Sequence, residues 1–249
     1  ALITCASDAH AIDITAALRD GKGWDVAGIE YIGADAIAQL EDRVFERTGV
    51  ARPARGSVFL LVQLEGGLGR FTQLLDRHRL ADTTLVAMPD DERSATRLLE
   101  LRESVPAAVN ARVADAKAAI DPAIEKTAGD MIVPFERLAD SLALYRETFA
   151  ARGLECAVWG HFSDGNLHPN VIPRSLDDVV KGKEALLEIG RAVVAMGGSP
   201  LAEHGVGRNA VKQELLRQMY GDEGIEQMRA VKRALDPEWK LSPGVLFPA

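Results

Sequence analysis

The chain has 249 residues, 47% of them hydrophobic, with a formal charge of −8 and two cysteines. It can bury about three quarters of its unfolded surface in one or two cores, whereas its acidic character argues against a nucleic-acid surface, which needs clustered lysine and arginine. No apolar run approaches the ~18 residues of a membrane span, the cysteines are too few for a disulfide framework, and the start, ALITCASDAH, lacks both a signal-peptide pattern and a Met. We therefore expect a globular piece of a longer or processed protein.

The first 90 residues alternate between strand and helix patterns. The clearest strand is SVFLLVQLE, whose almost unbroken apolar run is typical of a strand covered on both faces. We expect the helices of this part on one face of a sheet. In chain order the predicted elements are a strand over 2–5, a helix from Asp8 through Leu18, a strand over 24–32, a helix over 34–47 that ends at Gly49, a strand over 57–65, a helix over 71–78 and a strand over 83–88.

The rest of the chain begins with a long helix. Pro106 is expected to kink or divide it, because proline removes a helical hydrogen bond. A later helix is predicted to start at Pro134, a favoured first-turn residue, and another at Ser175, which forms a capping-box pattern with Asp178. The predicted elements are a helix over 90–117, a strand over 130–134, a helix from 134 to Gly153, a strand over 155–160, a helix from 175 to Gly197 and two more helices before Pro237.

The stretch from His161 to Asn170, HFSDGNLHPN, contains two of the five histidines. An Asp-Gly pair between strand-like residues is a strong signal for a tight hairpin turn, so Asp164 and Gly165 are predicted to form a two-residue turn. That turn would place His161 directly opposite His168 on one face of the hairpin, and Asn170 would return to the same face. Two imidazoles at that separation can hold one metal ion at about 2.0–2.1 Å.

A third histidine, His204, directly follows Glu203 in the stretch PLAEHGVGR. Two histidines and one acid with a vacant position are the ligand set of a catalytic zinc site. The alternative is a surface hairpin with incidental histidines, since short motifs have a real false-positive rate. The histidine pair together with the acid favours the metal site.

Three segments of the chain have the form of motifs that occur together in one protein family. HFSDGNLHPN is similar to HxGDGNxHxN, AEHGVG to GEHGIG, and RAVKRALDPEWKLSPGVLFP to MRxIKxxLDPxxxLNPGKxF. These motifs belong to the C-terminal domain of FAD-linked oxidases, found in flavin D-lactate dehydrogenases, the flavin subunit of glycolate oxidase and D-2-hydroxyglutarate dehydrogenase. With the order of elements, the resemblance covers nearly the whole chain.

The resemblance implies an enzyme of the vanillyl-alcohol-oxidase type, in which an N-terminal domain binds FAD and a C-terminal cap covers the flavin and shapes the substrate pocket. The expected fold is α+β, an antiparallel ferredoxin-like sheet with helices on one face. Residues 1–249 correspond to the cap alone. We therefore expect the FAD-binding domain outside this sequence, in the same chain or a partner chain, and we expect the isolated fragment to be inactive.

The resemblance also implies roles for single residues. His161, His168 and Glu203 match the metal ligands of the zinc-binding members. Asn170 matches a substrate contact, and His204 matches the proposed base beside the flavin, which would take the hydroxyl proton while hydride leaves the α-carbon. Adjacent residues in an extended chain point to opposite sides, so His204 is expected to approach the substrate from another side than Glu203.

Further roles concern the substrate carboxylate and the flavin. Arg102 in LLELRES and Lys126 resemble the family's substrate-binding cations, although an ordinary helix-surface arginine fits the Arg102 position equally well. Pro106 stands where some relatives have a substrate-binding threonine, which argues against a dicarboxylate such as 2-hydroxyglutarate. Ser242 replaces the asparagine of the family's NPG signal, so Ser242 and Gly244 are the expected flavin contacts.

Together these features predict the cap of an FAD-dependent dehydrogenase or oxidase of a D-lactate-like or glycolate-like 2-hydroxy acid, with a divalent metal, preferably zinc. The alternatives are a metal-independent flavin oxidase of an alcohol or phenol, in which the three ligands need not converge, and a non-catalytic metal-binding interaction domain. A zinc hydrolase ranks below them, because the chain has no HExxH helix and the sequence indicates no second acidic residue near the motif that could serve as a base. The expected partners are the hydroxy acid and the FAD domain, with a homodimer as an option, and the expected location is cytoplasmic or peripheral at the membrane through the electron acceptor.

Overall fold

The computed structural model describes residues 1–20 and 25–248, so the start of the strand predicted over 24–32 lies outside the described residues. Its centre is an eight-stranded antiparallel sheet with the order β4-β1-β3-β2-β7-β8-β5, in which β6 also pairs with β8. The predicted α+β class with an antiparallel sheet is confirmed. The strands are β1 Leu2–Cys5, β2 Val26–Ile32, β3 Val58–Leu64, β4 Thr84–Leu85, β5 Thr127–Ala128, β6 Met131–Ile132, β7 Cys156–His161 and β8 Asn166–Val171.

Helix α7 (Leu176–Ala195) begins at the capping residue that the sequence indicates, whereas the helix predicted to start at Pro134 begins at Leu138, after a short 3-10 turn over Phe135–Arg137. Ser175 accepts the backbone N–H of Asp178 at 3.1 Å, as the capping-box pattern predicts. Pro106 lies inside one uninterrupted helix, whereas the last helix has non-helical backbone at Gly221. The helices are α1 Asp8–Asp20, α2 Ala34–Ile37, α3 Asp42–Thr48, α4 Leu68–Arg77, α5 Glu92–Ala119, α6 Leu138–Ala150, α7 Leu176–Ala195 and α8 Ala210–Leu235. None of the helices in the described ranges has the length and apolarity needed to cross a bilayer.

Helices cover both faces of the sheet, so the prediction that they lie on one face is wrong. Alternate residues of β3 enter two separate cores: Leu60 and Val62 pack with α1, α4, α6 and α7, while Phe59 and Leu61 pack with α2, α3 and α5. The cause is the apolar stripe of α5, which needs an apolar partner and finds it on the second face of β3. The buried residues of that stripe in the second core are Leu98, Leu101, Val105 and Val109.

Strands β7 and β8 are joined by a four-residue loop, residues 162–165, and the predicted two-residue turn is wrong. His161 pairs with Asn166, and His168 pairs with Trp159, so the predicted pairing of His161 with His168 is off by two residues. Side chains alternate between faces with a period of two. The shift therefore leaves both histidines on one face, as diagonal neighbours.

Phe162 explains the wider loop. Its side chain is fully buried and stacks on Tyr31, with ring centroids 4.2 Å apart and the rings nearly parallel. Its N–H donates to the carbonyl of Ile29 at 2.7 Å, on the neighbouring strand β2, and the carbonyl of Gly165 accepts the N–H of Val133 at 3.1 Å. Burial of this ring and these two hydrogen bonds outweigh the local preference of Asp-Gly for a two-residue turn.

Candidate metal centre

The side chains of the two hairpin histidines lie next to each other on the sheet face that α5 covers. His161 is the last residue of β7, and His168 lies in β8. Their ring centroids are 5.5 Å apart, with the rings almost perpendicular. The side chain of His168 is largely buried, while that of His161 is about a quarter exposed.

The carboxylate of Glu203 is the point at which three imidazoles converge. Its Oε1 atom lies 3.3 Å from Nε2 of His161, 3.2 Å from Nε2 of His168 and 3.2 Å from Nε2 of His204. The ring of His204 also stacks on that of His168, with centroids 4.9 Å apart. The two sequence motifs therefore form a single cluster.

His204 points to the same side as Glu203, so the expectation of an approach from another side is wrong. That expectation required extended backbone, but residues 202–204 form a bend. The N–H groups of Glu203 and His204 both donate to Oδ2 of Asp130, at 2.9 and 2.6 Å. The bend directs both side chains toward His168.

The donor atoms fit a divalent metal ion. Around a tetrahedral ion with bonds of about 2.0–2.1 Å, neighbouring ligand atoms are about 3.3 Å apart, and the three Nε2 atoms lie 3.2–3.3 Å from the Glu203 oxygen. A partly different group, Asp130, His168, Glu203 and His204, has possible ligand atoms that all lie within 4.8 Å of one another; it includes Asp130 and does not include the predicted ligand His161. A metal-independent oxidase would be favoured if His161, His168 and Glu203 lay more than ~10 Å apart. They lie much closer together than that.

Two carboxylates that the sequence analysis missed face the other ring nitrogens of the cluster. Oε1 of Glu30 lies 2.6 Å from Nδ1 of His161. Asp130 places Oδ1 3.6 Å from Nδ1 of His168 and Oδ2 3.5 Å from Nδ1 of His204. Glu30 lies within the apolar strand β2 and Asp130 directly before β6, and neither belongs to a sequence motif, so the motifs do not single them out.

Arg102 is the ion-pair partner of Glu30. Its Nε and Nη2 atoms donate to Oε2 of Glu30 at 3.1 and 3.0 Å, which ties α5 to the carboxylate behind His161. Arg102 also lines the cavity beside the cluster. Its role as a partner of the substrate carboxylate stays a prediction.

Burial and neighbouring charges set the protonation of the cluster. The hydrogen bond with Glu30 raises the pKa of His161, whereas burial lowers the pKa of His168 to about 4 against the opposing charge of Asp130. Burial raises the pKa of Glu30, but its hydrogen bond with His161 and the charge of Arg102 outweigh that effect, so the pKa lies below its ordinary value. At neutral pH His168 is therefore uncharged, the form in which an imidazole binds a metal.

A cavity of about 410 Å³ opens beside the cluster. Four cations line it. Arg102 binds a glutamate, Lys183 pairs with another glutamate at 2.5 Å, and Lys212 donates to a backbone carbonyl at 2.9 Å. Lys126 has neither kind of partner among the described residues; its Nζ lies 6.0 Å from the ring centroid of Trp159, and burial lowers its pKa.

Asn170 lines the same cavity. Its side chain is almost fully buried, and its Nδ2 donates to the carbonyl of His168 at 2.8 Å. Its Oδ1 has no hydrogen-bond partner within the described part of the chain. Pro106 lines the cavity on the α5 side.

Ser242 and Gly244, the predicted flavin contacts, lie outside this cluster. They belong to a turn near the C-terminus that is fastened to the region around the start of α8. Arg208 donates to the carbonyl of Pro243 at 2.9 Å, and Gln213 donates to the carbonyl of Gly244 at 2.8 Å. Because Arg208 follows His204 by only four residues, the turn is attached to the segment that carries the cluster.

Comparison with known proteins bears on this site. The family model for the C-terminal domain of FAD linked oxidases matches residues 1–246. The chain belongs to this family. A solved structure, the isoeugenol complex of 4-ethylphenol oxidase from Gulosibacter chungangensis, has the same fold, with a TM-score of 0.59 and 14% identity over 99% of this chain and 53% of that chain.

Curated relatives of this family member include oxidoreductases of 2-hydroxy acids. Glycolate oxidase subunit GlcD of Bacillus subtilis (strain 168) is 26% identical over 89% of this chain and 45% of the relative. The mitochondrial D-lactate dehydrogenase (cytochrome) of Arabidopsis thaliana is 30% identical over 52% of this chain and 23% of the relative. D-2-hydroxyglutarate dehydrogenase of Escherichia coli (strain K12) is 36% identical over 49% of this chain and 12% of the relative. The chain thus spans less than half the length of these relatives.

Proposed function

We propose that this chain is the substrate domain of an FAD-dependent dehydrogenase or oxidase that converts a D-lactate-like or glycolate-like 2-hydroxy acid to the 2-oxo acid by hydride transfer to flavin. The observation that carries the proposal is the convergence of three Nε2 atoms on Glu203 next to a cavity lined by Lys126, which forms no ion pair or hydrogen bond among the described residues. An α-hydroxy carboxylate needs a cation for its hydroxyl and carboxylate oxygens and a base for its hydroxyl proton. His204 in the cluster is a candidate base, and Lys126 in the cavity lining is a candidate cation.

A small monocarboxylate suits the cavity better than a dicarboxylate. Of its cations, Lys126 alone lacks an acidic or carbonyl partner within the described ranges, so one substrate carboxylate can be neutralised without breaking an existing ion pair. Trp159 lies beside Lys126, and Pro106 offers no hydroxyl or N–H donor. A second carboxylate in this space would be desolvated without a partner, which is costly.

The cluster residues would share the chemistry as follows. His161, His168 and Glu203 would hold a divalent metal, which when bound supplies a Lewis acid that lowers the pKa of the substrate hydroxyl. His204 would accept the hydroxyl proton at Nε2, the ring atom that faces the cluster, with Nδ1 turned toward Asp130. Lys126 and the free Oδ1 of Asn170 would orient the substrate.

FAD, bound by a domain in the same or a partner chain, would supply the hydride acceptor. The α-hydrogen of the substrate would leave with two electrons, and the hydroxyl proton would go to His204, so that the 2-oxo acid remains. Ser242 and Gly244 would meet the flavin domain. The proposed location is cytoplasmic, whereas the D-lactate relative from Arabidopsis thaliana is named as mitochondrial.

The test is a substrate screen on the full-length protein with an artificial dye as electron acceptor. D-lactate, glycolate, D-2-hydroxyglutarate and a phenol such as 4-ethylphenol would be compared, before and after dialysis against a chelator. We expect dye reduction with the small monocarboxylates, loss of activity on metal removal and recovery on adding zinc.

His168→Ala is the informative variant, and His78→Ala is its control, because His78 lies outside the cluster. We expect at least a 100-fold loss of kcat/KM for the first, in line with removal of a positioned group of a metal site, and no change for the second. Full activity after both metal removal and His168→Ala, or turnover of the phenol alone, would defeat the proposal in favour of a metal-independent oxidase. Metal binding with no flavin reduction by any compound would indicate the non-catalytic domain.

A further inference from the structure

Asp130 is a buried carboxylate whose neighbours are backbone N–H groups and imidazoles. Only 1% of it is exposed, and no lysine or arginine of the described residues forms an ion pair with it. A buried charge without compensation is strongly unfavourable. The groups that compensate this charge therefore indicate what the residue does.

Two of those groups are backbone N–H donors from the segment that carries Glu203. Oδ2 of Asp130 accepts the N–H of Glu203 at 2.9 Å and that of His204 at 2.6 Å. The main chain of Asp130 adds a third bond, because its carbonyl accepts the N–H of Ala202 at 3.1 Å. Asp130 lies directly before β6 and forms an isolated parallel bridge with Leu201. It thus fastens residues 201–204 to the edge of the sheet.

The remaining groups are two imidazoles of the cluster. Nδ1 of His168 and Oδ1 of Asp130 face each other at 3.6 Å, and neither has a hydrogen-bond partner among the described residues. Nδ1 of His204 lies 3.5 Å from Oδ2. The third imidazole has the same arrangement with a different acid, since Nδ1 of His161 lies 2.6 Å from Glu30. Every ring of the cluster therefore has a carboxylate behind Nδ1 and Glu203 in front of Nε2.

This arrangement determines which ring nitrogen can bind a metal. A carboxylate at Nδ1 holds the proton there, and Nε2 is then left with its lone pair. Asp130 cannot readily be a ligand of the same ion, because Nδ1 faces Asp130 while Nε2, on the far side of each ring, faces Glu203. Its Oδ2 is in addition already bonded to two N–H groups.

We propose that Asp130 is a positioning residue of the metal centre: its Oδ2 holds Glu203 in place through the backbone, and its two oxygens fix His168 with Nε2 directed at the metal and His204 with Nε2 directed at the substrate hydroxyl. The inference rests on the proposed function, because it assumes that this cluster binds a metal. It assigns a role to a residue in neither sequence motif. It also explains how one bend carries both Glu203 and His204 to the hairpin.

The experiment is a measurement of zinc affinity by chelator competition on full-length wild-type protein, Asp130→Asn and Asp236→Asn. Asp236 is the control, since it is also buried and accepts two backbone N–H groups, from Lys240 and Leu241 at 3.0 and 2.9 Å, but lies outside the cluster; it differs from Asp130 in its ion pair with Lys232. We expect Asp130→Asn to bind zinc about 10- to 100-fold more weakly, with d–d bands of the Co²⁺-loaded protein that shift in wavelength but keep the intensity characteristic of the wild-type coordination number. Asp236→Asn should match wild type in both.

The outcomes separate the inference from the function on which it rests. Wild-type binding with an unchanged affinity and Co²⁺ spectrum in Asp130→Asn would overturn the inference alone. A change in Co²⁺ coordination number would also overturn it, because Asp130 would then be a ligand. A wild-type protein that binds no metal would remove the metal from the proposed function and the inference with it.

A measurement on the wild-type protein covers the case in which Asp130→Asn does not fold. In zinc-loaded protein with ¹⁵N-labelled histidine, assigned through His168→Asn, we expect His168 to carry its proton on Nδ1. A proton on Nε2 of His168 would overturn the inference.

Discussion

Replacing Gly160 by alanine should separate the two strands that carry the histidines. Gly160 lies in β7 with φ of 153°, a region that residues with a side chain rarely adopt. An added Cβ would lie 2.3 Å from the carbonyl oxygen of Asn166 and 2.8 Å from Cα of Leu167, both backbone atoms of β8. Backbone strain of about 1–3 kcal/mol and overpacking of about 1–3 kcal/mol together predict a loss of about 2–6 kcal/mol in the free energy of unfolding.

Gly28→Ala in the adjacent strand β2 is the matched control, because nothing lies within 4 Å of its added Cβ. Urea unfolding of both variants, followed by circular dichroism, measures the difference. We expect Gly28→Ala within about 0.5 kcal/mol of wild type, and we expect only Gly160→Ala to weaken zinc binding, since β8 carries His168. A difference of less than about 1 kcal/mol between the two variants would refute the close approach of β7 and β8 at this point.

Three further predictions concern the cavity and the second carboxylate. The KM for the hydroxy acid should rise with pH as Lys126 loses its proton. Because burial lowers the pKa of Lys126, this rise should occur below the ordinary lysine pKa of about 10.4. Measured across the same pH range, the KM of Lys126→Arg should not show the rise. Trp159→Ala should raise kcat/KM for the bulkier substrate 2-hydroxy-4-methylpentanoate relative to that for D-lactate by about tenfold, since a few methylene groups are worth about 1–3 kcal/mol. An unchanged ratio of the two kcat/KM values would show that Trp159 does not contact the substrate. Glu30→Gln should weaken zinc binding about 10- to 100-fold in chelator competition, because it removes the carboxylate behind His161.

The sequence predicts the faces of the hairpin better than its pairing. Both histidines lie on one face as predicted, because a two-residue shift in register does not change the side to which a strand residue points. The shift itself depends on Phe162 stacking on Tyr31, a contact between residues 131 positions apart. Local turn preference depends only on neighbouring residues, so it cannot predict the effect of a contact between distant ones.

The covered second face of the sheet and the shape of the cluster depend on tertiary contacts in the same way. The apolar run of β3 predicts burial on both faces, but the identity of the covering helix follows only from where α5 packs. The direction of His204 follows from two hydrogen bonds to Asp130, 73 and 74 residues away. Motif spacing supplies candidate ligands, whereas the carboxylates behind them, Glu30 within β2 and Asp130 directly before β6, belong to no motif and reach the histidines only through the fold.

The most direct test of the metal centre is an anomalous difference map at the zinc edge from crystals of the zinc-loaded full-length protein. We predict one peak about 2.0–2.2 Å from Nε2 of His161, Nε2 of His168 and a carboxylate oxygen of Glu203, with Asp130 hydrogen-bonded to Nδ1 of His168. The absence of a peak between these three side chains, or a peak bonded to Asp130 and not to His161, would contradict the account.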